Sequence, residues 1–182
     1  QKYADGCNLD LCGWILDEAE AYRQIPVRPD HLKYAVICVR DPKGGVKFFV
    51  MIGHSFGLIS AVYNYNRRSA MLDEILQKIF GVASNFYYDD KFGIEPAETI
   101  QSADEAVIFL HTILGCDWAD RKHYVGREPT ILGITYNLIK MHLEIKESRK
   151  KDLLSTLAAI WKDNQLTPGE AAKIAGKLGF AG

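Results

Sequence analysis

The residues best suited to chemistry are two adjacent aspartates, Asp89 and Asp90, which follow two tyrosines in the tetrapeptide YYDD. The apolar run 82–88 stops on this pair, and a second apolar-leaning run, 91–94, begins directly after it. This pattern predicts two short strands joined by a tight acidic turn. Two carboxylates about 4 Å apart repel each other by roughly 4 kcal/mol at an effective dielectric near 20, so their charge must be offset.

Two interpretations of the acidic turn are open. Aspartate favours turns, so the pair can belong to a solvated hairpin. Alternatively, the pair binds a divalent cation, because hard cations such as Mg²⁺ take oxygen ligands. A third carboxylate bears on this choice, since Asp17 follows the short apolar run 12–16, which predicts a buried strand. Asp17 either caps the helical turn that comes next or faces a cleft, and the two roles are compatible.

The elements that must position these aspartates follow from hydrophobic periodicity and turn signals. In chain order the sequence predicts a strand at 12–16, a hairpin of 34–39 and 46–52, a helix at 59–80, the acidic hairpin, a helix at 102–114 and a strand at 122–125. Without the first hairpin, this is the β-α-β-β-α-β order of a split βαβ unit. The predicted fold is therefore α+β, an antiparallel sheet with helices on one face, and it brings Asp17 beside the acidic turn.

The rest of the chain is predicted as strands 130–138 and 140–145, then helices at 148–164 and from 168 to about 178. We expect residues 1–145 to form one domain, which includes the inserted hairpin at about 31–52. Residues 146–182 are expected to form a helical segment.

Two capping boxes predict where helices start. Ser102, with Glu105 three residues later, is predicted to cap the second long helix. Thr167 and Glu170, with Pro168 at the first helical position, predict the start of the last helix.

Composition limits the function without identifying it. The 182 residues carry a net charge of −1, so any nucleic-acid site must be a local basic patch. Four cysteines without a CxxC pair indicate reduced thiols in an intracellular protein, with cytoplasm and nucleus both open. No apolar run reaches the ~18 residues of a membrane helix, so no membrane partner is expected. The sequence begins without Met, and we expect it to be part of a longer protein.

Three segments carry a resemblance to a known family. Residues 16–27 (LDEAEAYRQIPV) resemble the first catalytic motif of reverse transcriptases, an Asp followed by an acidic-Ala-aromatic step and Gln-Ile-Pro. Residues 55–58 (SFGL), running on to Asn66-Arg67, resemble the second motif, in which Pro-Phe-Gly-Leu leads into a helix. YYDD resembles the third motif, aromatic-x-Asp-Asp.

The resemblance extends along nearly the whole chain. Lys122 falls where the fourth motif carries a lysine, and residues 131–133 (ILG) resemble the fifth, the primer-grip turn. The tail 147–181 is similar to polymerase segments of retroelements and pararetroviruses, with the tyrosine-recombinase (DIRS-like) group the most similar. Each motif alone is modest, but five in the correct order are specific.

This resemblance implies a polymerase palm with a partial fingers hairpin and the start of a thumb or connection. The implied activity is RNA-directed DNA synthesis from dNTPs on a primed RNA or DNA template. Asp17 and Asp89 would bridge two Mg²⁺ ions set about 3.5–4 Å apart, with Mn²⁺ as a possible substitute. Asp90 would complete the acidic site. Lys122 would protonate pyrophosphate, or it is a solvated surface lysine.

The resemblance also assigns binding residues. Tyr22 would be the steric gate against a ribose 2′-hydroxyl, or it is a core aromatic residue. Phe56 and Gly57 would line the nucleotide pocket, where glycine permits close approach of the backbone. The residues assigned to primer or template contact are Tyr88, Leu132 and Gly133.

Two features depart from the family pattern, and two alternatives to a reverse transcriptase are open. Glu18 and Glu20 make the first motif unusually acidic, and His54-Ser55 stands where the family has Pro before Phe-Gly. One alternative is a degenerate, non-catalytic retroelement relic, with or without nucleic-acid binding. The other is the palm of an RNA-dependent RNA polymerase, which usually has Gly before Asp-Asp and an acidic residue where this chain has Tyr22. The oligomeric state is not predicted.

Overall fold

The computed structural model describes residues 10–163 and 165–181, so the predictions for residues 1–9, Cys7 among them, and for Asn164 lie outside it. The chain divides into two compact units, Gln1–Pro129 and Thr130–Gly182. The predicted domain boundary near residue 145 stays a prediction. Helices and antiparallel sheets occur together, which confirms the α+β class.

The first unit contains six strands and two long helices within its described part. In chain order they are β1 (Leu11–Asp17), β2 (Val36–Arg40), β3 (Val46–Val50), α1 (Ile59–Ile75), β4 (Asn85–Tyr87), β5 (Asp90–Pro96), α2 (Ile100–Ile113) and β6 (Tyr124–Gly126). One π-helical stretch, Leu76–Phe80, continues α1 until Gly81 ends it with a φ of 68°. The helix predicted at 59–80 is thus confirmed. Short 3₁₀ turns cover Ala21–Gln24, Pro29–Tyr34 and Asp120–Lys122.

The principal sheet has the strand order β4-β5-β1-β6, and every neighbouring pair in it is antiparallel. β1 and β5 pair along their whole length, from Leu11 opposite Pro96 to Asp17 opposite Asp90. This register brings the end of the first strand to the acidic turn between β4 and β5.

The core of this unit lies on one face of β1. Side chains alternate across a strand, so Cys12, Trp14 and Leu16 share a face. They form one buried cluster with residues of both long helices, including Leu72 and Val107. Each large apolar side chain buried in this way contributes about 1.5–3 kcal/mol to folding. Cys12 is a free thiol, as are Cys38 and Cys116.

The inserted hairpin, β2 and β3, forms a separate two-stranded sheet. Every residue of both strands is exposed, although most are apolar. Its base is attached to the segment after β1, because the Val27 amide donates to the Ile52 carbonyl at 2.8 Å and the His54 amide donates to Ile25 at 3.0 Å. The hairpin predicted from the turn signal is confirmed.

Two predictions about helix and strand starts are wrong. Helix α2 begins at Ile100, before Ser102, and within the described chain no side chain caps its first turn. Burying Ile100 in the core outweighs a cap worth about 1 kcal/mol. The strand predicted at 122–125 begins only at Tyr124, because Lys122 belongs to the preceding 3₁₀ turn.

Within residues 130–163 and 165–181, the second unit contains a three-stranded antiparallel sheet and two helices. Its elements are β7 (Thr130–Ile131), β8 (Ile134–Asn137), β9 (His142–Ile145), α3 (Glu147–Asp163) and α4 (Pro168–Ala181). The single strand predicted at 130–138 is broken, because Leu132 and Gly133 turn the chain with φ values of 52° and 85°.

The last helix starts as predicted. The Thr167 amide donates to the Glu170 carboxylate at 2.9 Å, and the Glu170 amide donates to the Thr167 hydroxyl at 3.3 Å, which is a capping box. Across the ranges that the structure describes, no helix has both the length and the apolar character needed to cross a membrane.

The tightest backbone contact beside β1 yields a stability prediction. A Cβ on Gly93 would lie 2.0 Å from the Ala83 carbonyl oxygen and 2.5 Å from Trp14 Nε1. We expect Gly93→Ala to lower the unfolding free energy by about 1–3 kcal/mol or more in denaturant titration, because neither neighbour is free to move. Gly45→Ala is the control, since its Cβ would meet only Asp41 at 3.8 Å. Equal stability of the two variants would contradict this packing.

Candidate active site

Three aspartates converge at the end of the central strand. Asp17 stands directly opposite Asp90 in the β1–β5 register. The amide of Glu18 donates to the backbone carbonyl of Asp89 at 3.3 Å, which attaches the next residue of the turn to the same strand end. Asp17 is 8% exposed. A strand end and a turn far apart in sequence thus form one acidic surface.

The charges of this cluster act on one another. Burial raises the pKa of Asp90 above its usual value, and the neighbouring charges of Asp89 and Asp17 raise it further. Lys122 opposes this shift. Its Nζ donates to Asp17 Oδ2 at 2.8 Å, and this hydrogen bond is the main cause that raises the pKa of Lys122. The cluster therefore holds an ammonium cation that stays protonated at neutral pH.

The position of Lys122 depends on an extension of the sheet. The Ala119 amide donates to the Asp17 carbonyl at 2.9 Å, and the Lys122 amide then donates to the Ala119 carbonyl at 2.8 Å. The segment that contains Lys122 therefore begins its 3₁₀ turn beside the end of β1, which brings the Lys122 ammonium to the Asp17 carboxylate. Lys122 was predicted only because it falls where the fourth motif carries a lysine. The structure leaves its side chain 58% exposed.

The donor chemistry suits a hard divalent cation. Within residues 10–163 and 165–181, no three Asp, Glu, His or Cys side chains are grouped so that they could hold a metal ion by themselves. Mg²⁺, however, is usually bound by one or two carboxylates, with waters and substrate phosphates completing its octahedron. Asp17 and Asp90 supply such a pair, and Asp89 lies close enough to add negative charge that a cation would neutralise.

The acidic turn is conformationally strained at Tyr88, whose φ is 54°. A non-glycine residue in this left-handed region costs of order 1–3 kcal/mol and persists only where its surroundings hold it. The Ser69 hydroxyl of α1 donates to the Tyr88 carbonyl at 3.5 Å. The ring of Tyr88 meets Tyr87 edge to face at 4.8 Å and is 39% exposed. Tyr88 is therefore accessible beside the carboxylates.

An aromatic group lies next to the cluster. The ring of Tyr22 meets Phe56 at 5.3 Å and Tyr65 at 5.2 Å, both edge to face. Burial raises the pKa of Tyr22, and the charge of Asp89 raises it further, so this phenol stays neutral near the acidic turn. Phe56 itself is 61% exposed, and Gly57 has a φ of 88°, a conformation that favours glycine.

The segment that carries Tyr22 is tied down by Gln24. Its side-chain amide donates to the carbonyls of Ala19 at 2.6 Å and Asp117 at 2.7 Å, and its Oε1 accepts the Asp117 amide at 3.0 Å. The 3₁₀ turn starts at Ala21, so Asp17 is not the residue that precedes it. The capping role considered for Asp17 is therefore wrong, and its carboxylate belongs to the acidic cluster.

Sequence reasoning missed a buried charge network behind the cluster. Glu18 has a fully buried side chain, and its carboxylate accepts hydrogen bonds from Lys91 and Arg68. The available signals were an acidic residue directly after the buried strand β1 and a lysine, Lys91, directly after the aspartate pair. The two residues are 73 positions apart, so no local pattern indicates that they pair.

The two remaining predicted site residues lie in the second unit. Leu132 and Gly133 form the turn between β7 and β8. A Cβ on Gly133 would meet the Arg149 guanidinium at 2.7 Å, so this glycine lets the arginine approach the turn. Their contact with a primer stays a prediction.

The raised pKa of Asp90 yields a prediction about pH. Below the ordinary carboxyl pKa of 3.8, Asp90 is protonated in both folded and unfolded chains. As the pH rises through the higher pKa of the folded state, the wild-type chain loses stability that Asp90→Asn retains. The variant should therefore be more stable at neutral pH by roughly 0.2–1 kcal/mol, the usual scale of a cross-strand pair.

Thermal unfolding followed by circular dichroism between pH 3 and pH 8 measures this difference. The exposed-site control Glu98→Gln should change the unfolding free energy by less than about 0.5 kcal/mol over the same range. A wild-type chain that equals or exceeds Asp90→Asn in stability at neutral pH would contradict the repulsion.

Solved structures match the fold of this chain, although their sequences are only 15–18% identical to it. No family model and no curated protein matches this chain. The foamy viral protease-reverse transcriptase in complex with an RNA/DNA hybrid is similar, with a TM-score of 0.71 and 15% identity, over 93% of this chain and 21% of that chain. Its dRH form with double-stranded DNA has a TM-score of 0.69 and 15% identity, over 93% of this chain and 27% of that one.

A third structure, the same viral enzyme with double-stranded DNA, has a TM-score of 0.69 and 18% identity, over 93% of this chain and 32% of that chain. The chain thus has a reverse-transcriptase-like fold and spans between 21% and 32% of the length of these structures.

Proposed function

We propose that this chain is the palm, with part of the fingers, of an RNA-directed DNA polymerase. The observation that carries the proposal is the meeting of Asp17 with Asp90 at a strained turn that also contains Asp89. The strand order β4-β5-β1-β6 supports a split βαβ palm, because it places the first and third palm strands side by side. The similarity to reverse transcriptases supports the same assignment.

Asp17, Asp89 and Asp90 are the residues that would hold two Mg²⁺ ions, with Mn²⁺ as a substitute. When bound, such ions lower the pKa of an attacking hydroxyl and neutralise phosphate charge. The chain's own part is to gather three carboxylates on one rigid strand end, so that little reorganisation is needed during phosphoryl transfer.

Lys122 is proposed to donate the proton that the leaving pyrophosphate requires. Its raised pKa keeps the ammonium charged at neutral pH, and its hydrogen bond to Asp17 holds it at the site. Its side chain is more than half exposed, so it is free to turn from the carboxylate to a phosphate. Protonation of a poor leaving group is general acid catalysis.

The aromatic group is proposed as the sugar pocket. Tyr22 would exclude a ribose 2′-hydroxyl, while Phe56 and Gly57 would contact the rest of the dNTP. Tyr88, Leu132 and Gly133 are proposed contacts of the primer or template. The similar viral structures are complexes with an RNA/DNA hybrid or double-stranded DNA, which supports a nucleic-acid partner for this chain.

The second candidate function is a non-catalytic relic. Because no three side chains in the described part are ready to hold a metal, a non-catalytic relic that binds nucleic acid without metal remains the alternative. The RNA-polymerase alternative is less well supported, since such polymerases usually carry an acidic residue where this chain has Tyr22 and Gly where it has Tyr88. Direct Mn²⁺ binding, measured by electron paramagnetic resonance, separates a metal site from a relic.

Replacing one central carboxylate tests the polymerase proposal. In primer extension by the protein that contains this chain, Asp89→Asn should reduce dNTP incorporation by about 10²-fold or more, because charge stabilisation at the reacting phosphate is lost. Glu98→Gln, at an exposed carboxylate, should leave the rate unchanged. Unaltered incorporation by Asp89→Asn would exclude this site.

Sugar discrimination tests the role of Tyr22. Tyr22→Ala should lower the preference for dNTP over rNTP by roughly 10- to 200-fold, the range that a single steric contact provides. Tyr63→Ala is the control, because that tyrosine is 69% exposed on α1. The ratio of kcat/KM for the two substrates is the measurement, and an unchanged ratio in Tyr22→Ala would assign the ring to the core instead.

A further inference from the structure

A buried ionic network lies directly behind the acidic cluster. The Glu18 side chain is 0% exposed, and its Oε2 accepts a hydrogen bond from Arg68 at 2.8 Å. Its Oε1 accepts one from Lys91, which is 3% exposed. Because side chains alternate along a strand, Asp17 and Asp90 face the cleft while Glu18 and Lys91 point to the helices.

The network reaches the strained turn through a serine. Lys91 Nζ donates to Ser69 Oγ at 3.3 Å, and Ser69 Oγ donates to the Tyr88 carbonyl at 3.5 Å. The backbone of Glu18 reaches the same turn, since its amide donates to the Asp89 carbonyl at 3.3 Å. One carboxylate is thus connected to the turn both through its own amide and through a chain of side chains.

The other branch of the network reaches the aromatic group. Arg68 Nη2 also donates to Gln24 Oε1 at 3.1 Å, and Gln24 fixes the segment that carries Tyr22. Ser69 and Arg68 are neighbours on α1, so one helical turn connects both sides of the site.

Stability alone does not require a buried ionic network at this place. A buried ion pair is often replaceable by well-packed apolar residues without loss of stability, although removal of one partner is strongly destabilising. His111 packs against the network with its Nε2 3.7 Å from Glu18 Oε1. Burial lowers the pKa of His111, so this ring is neutral and leaves Glu18 as the counter-charge of the two cations.

We propose that Glu18, Lys91 and Ser69 form a positioning network that fixes the acidic turn relative to the strand end carrying Asp17. None of the three touches the reacting atoms. They act through the backbone of Tyr88 and Asp89, and they hold the turn in its strained conformation. The consequence for catalysis rests on the proposed function, whereas the consequence for the turn does not.

Ser69→Ala removes the last link with little change in volume. We expect the amide of Glu18 to exchange with solvent about fivefold faster or more, the effect of losing roughly one hydrogen bond, in hydrogen exchange followed by NMR. The amide of Val107, in the core of α2, should be unchanged. The matched control is Ser84→Ala, the other buried serine, whose hydroxyl donates to Asp73 outside the network. Equal exchange at Glu18 in both variants would overturn the proposal.

A double variant separates positioning from packing. Glu18→Leu alone leaves both Lys91 and Arg68 without their carboxylate and should lower Tm. Adding Lys91→Leu removes the enclosed cation and should recover most of that loss, because Arg68 is less buried and keeps its hydrogen bond to Gln24. If the network positions the turn, the amide at position 18 in the double variant remains less protected than in wild type despite its recovered Tm. Full recovery of both Tm and protection would show that the network only fills the core, and would overturn the proposal.

Turnover gives a further readout that depends on the proposed function. In primer extension, Ser69→Ala should lower kcat by about tenfold or more with the KM for dNTP within about twofold, because the reacting groups are misplaced while the nucleotide still binds. If neither wild type nor any variant incorporates nucleotide, the polymerase assignment fails. The exchange measurements then still decide whether the network holds the turn.

Discussion

The site depends on the antiparallel pairing of β1 with β5. A shift of one residue in this register would turn Asp17 toward the helices and Leu16 toward solvent, because side chains alternate strictly along a strand. Trp14 and Leu16, both fully buried, prevent that shift. The hydrophobic core thus sets the register, and the register brings Asp17 opposite Asp90. The acidic cluster is a consequence of packing on the other face of the same strand.

Asp17 and Glu18 are neighbours at the end of β1, and each pairs with a lysine, but the two lysines differ in exposure. Lys122 reaches the nearly buried Asp17 from a side chain that is itself 58% exposed, so water screens the ammonium and another cation can replace it. Lys91 is enclosed with Glu18, and breaking a buried pair of this type costs about 3–5 kcal/mol. The cleft side therefore carries replaceable charge, whereas the helix side carries fixed charge.

Backbone strain is concentrated where these two sides meet. Tyr88, Glu20 and Ala21 all have positive φ, and they flank the strand end on the turn and on the following segment. The Ser69 hydroxyl of α1 donates to the carbonyl of Tyr88, and the Gln24 side chain donates to the carbonyl of Ala19, directly before Glu20. Helix α1 and the loop beside Asp117 therefore hold the backbone around the acidic cluster, whereas the core holds the register of β1.

Local patterns determined much of this protein. Periodicity predicted the order of strands and helices, and motif spacing selected the three aspartates, because both depend on residues close together in the chain. Tertiary packing decided what no local pattern contains. Burial of Ile100 moved the start of α2 ahead of Ser102, and the pairing of Glu18 with Lys91 arose from two strands brought together by the fold. Long-range contacts of this kind leave no periodic signal in one sequence, so only the folded chain shows them.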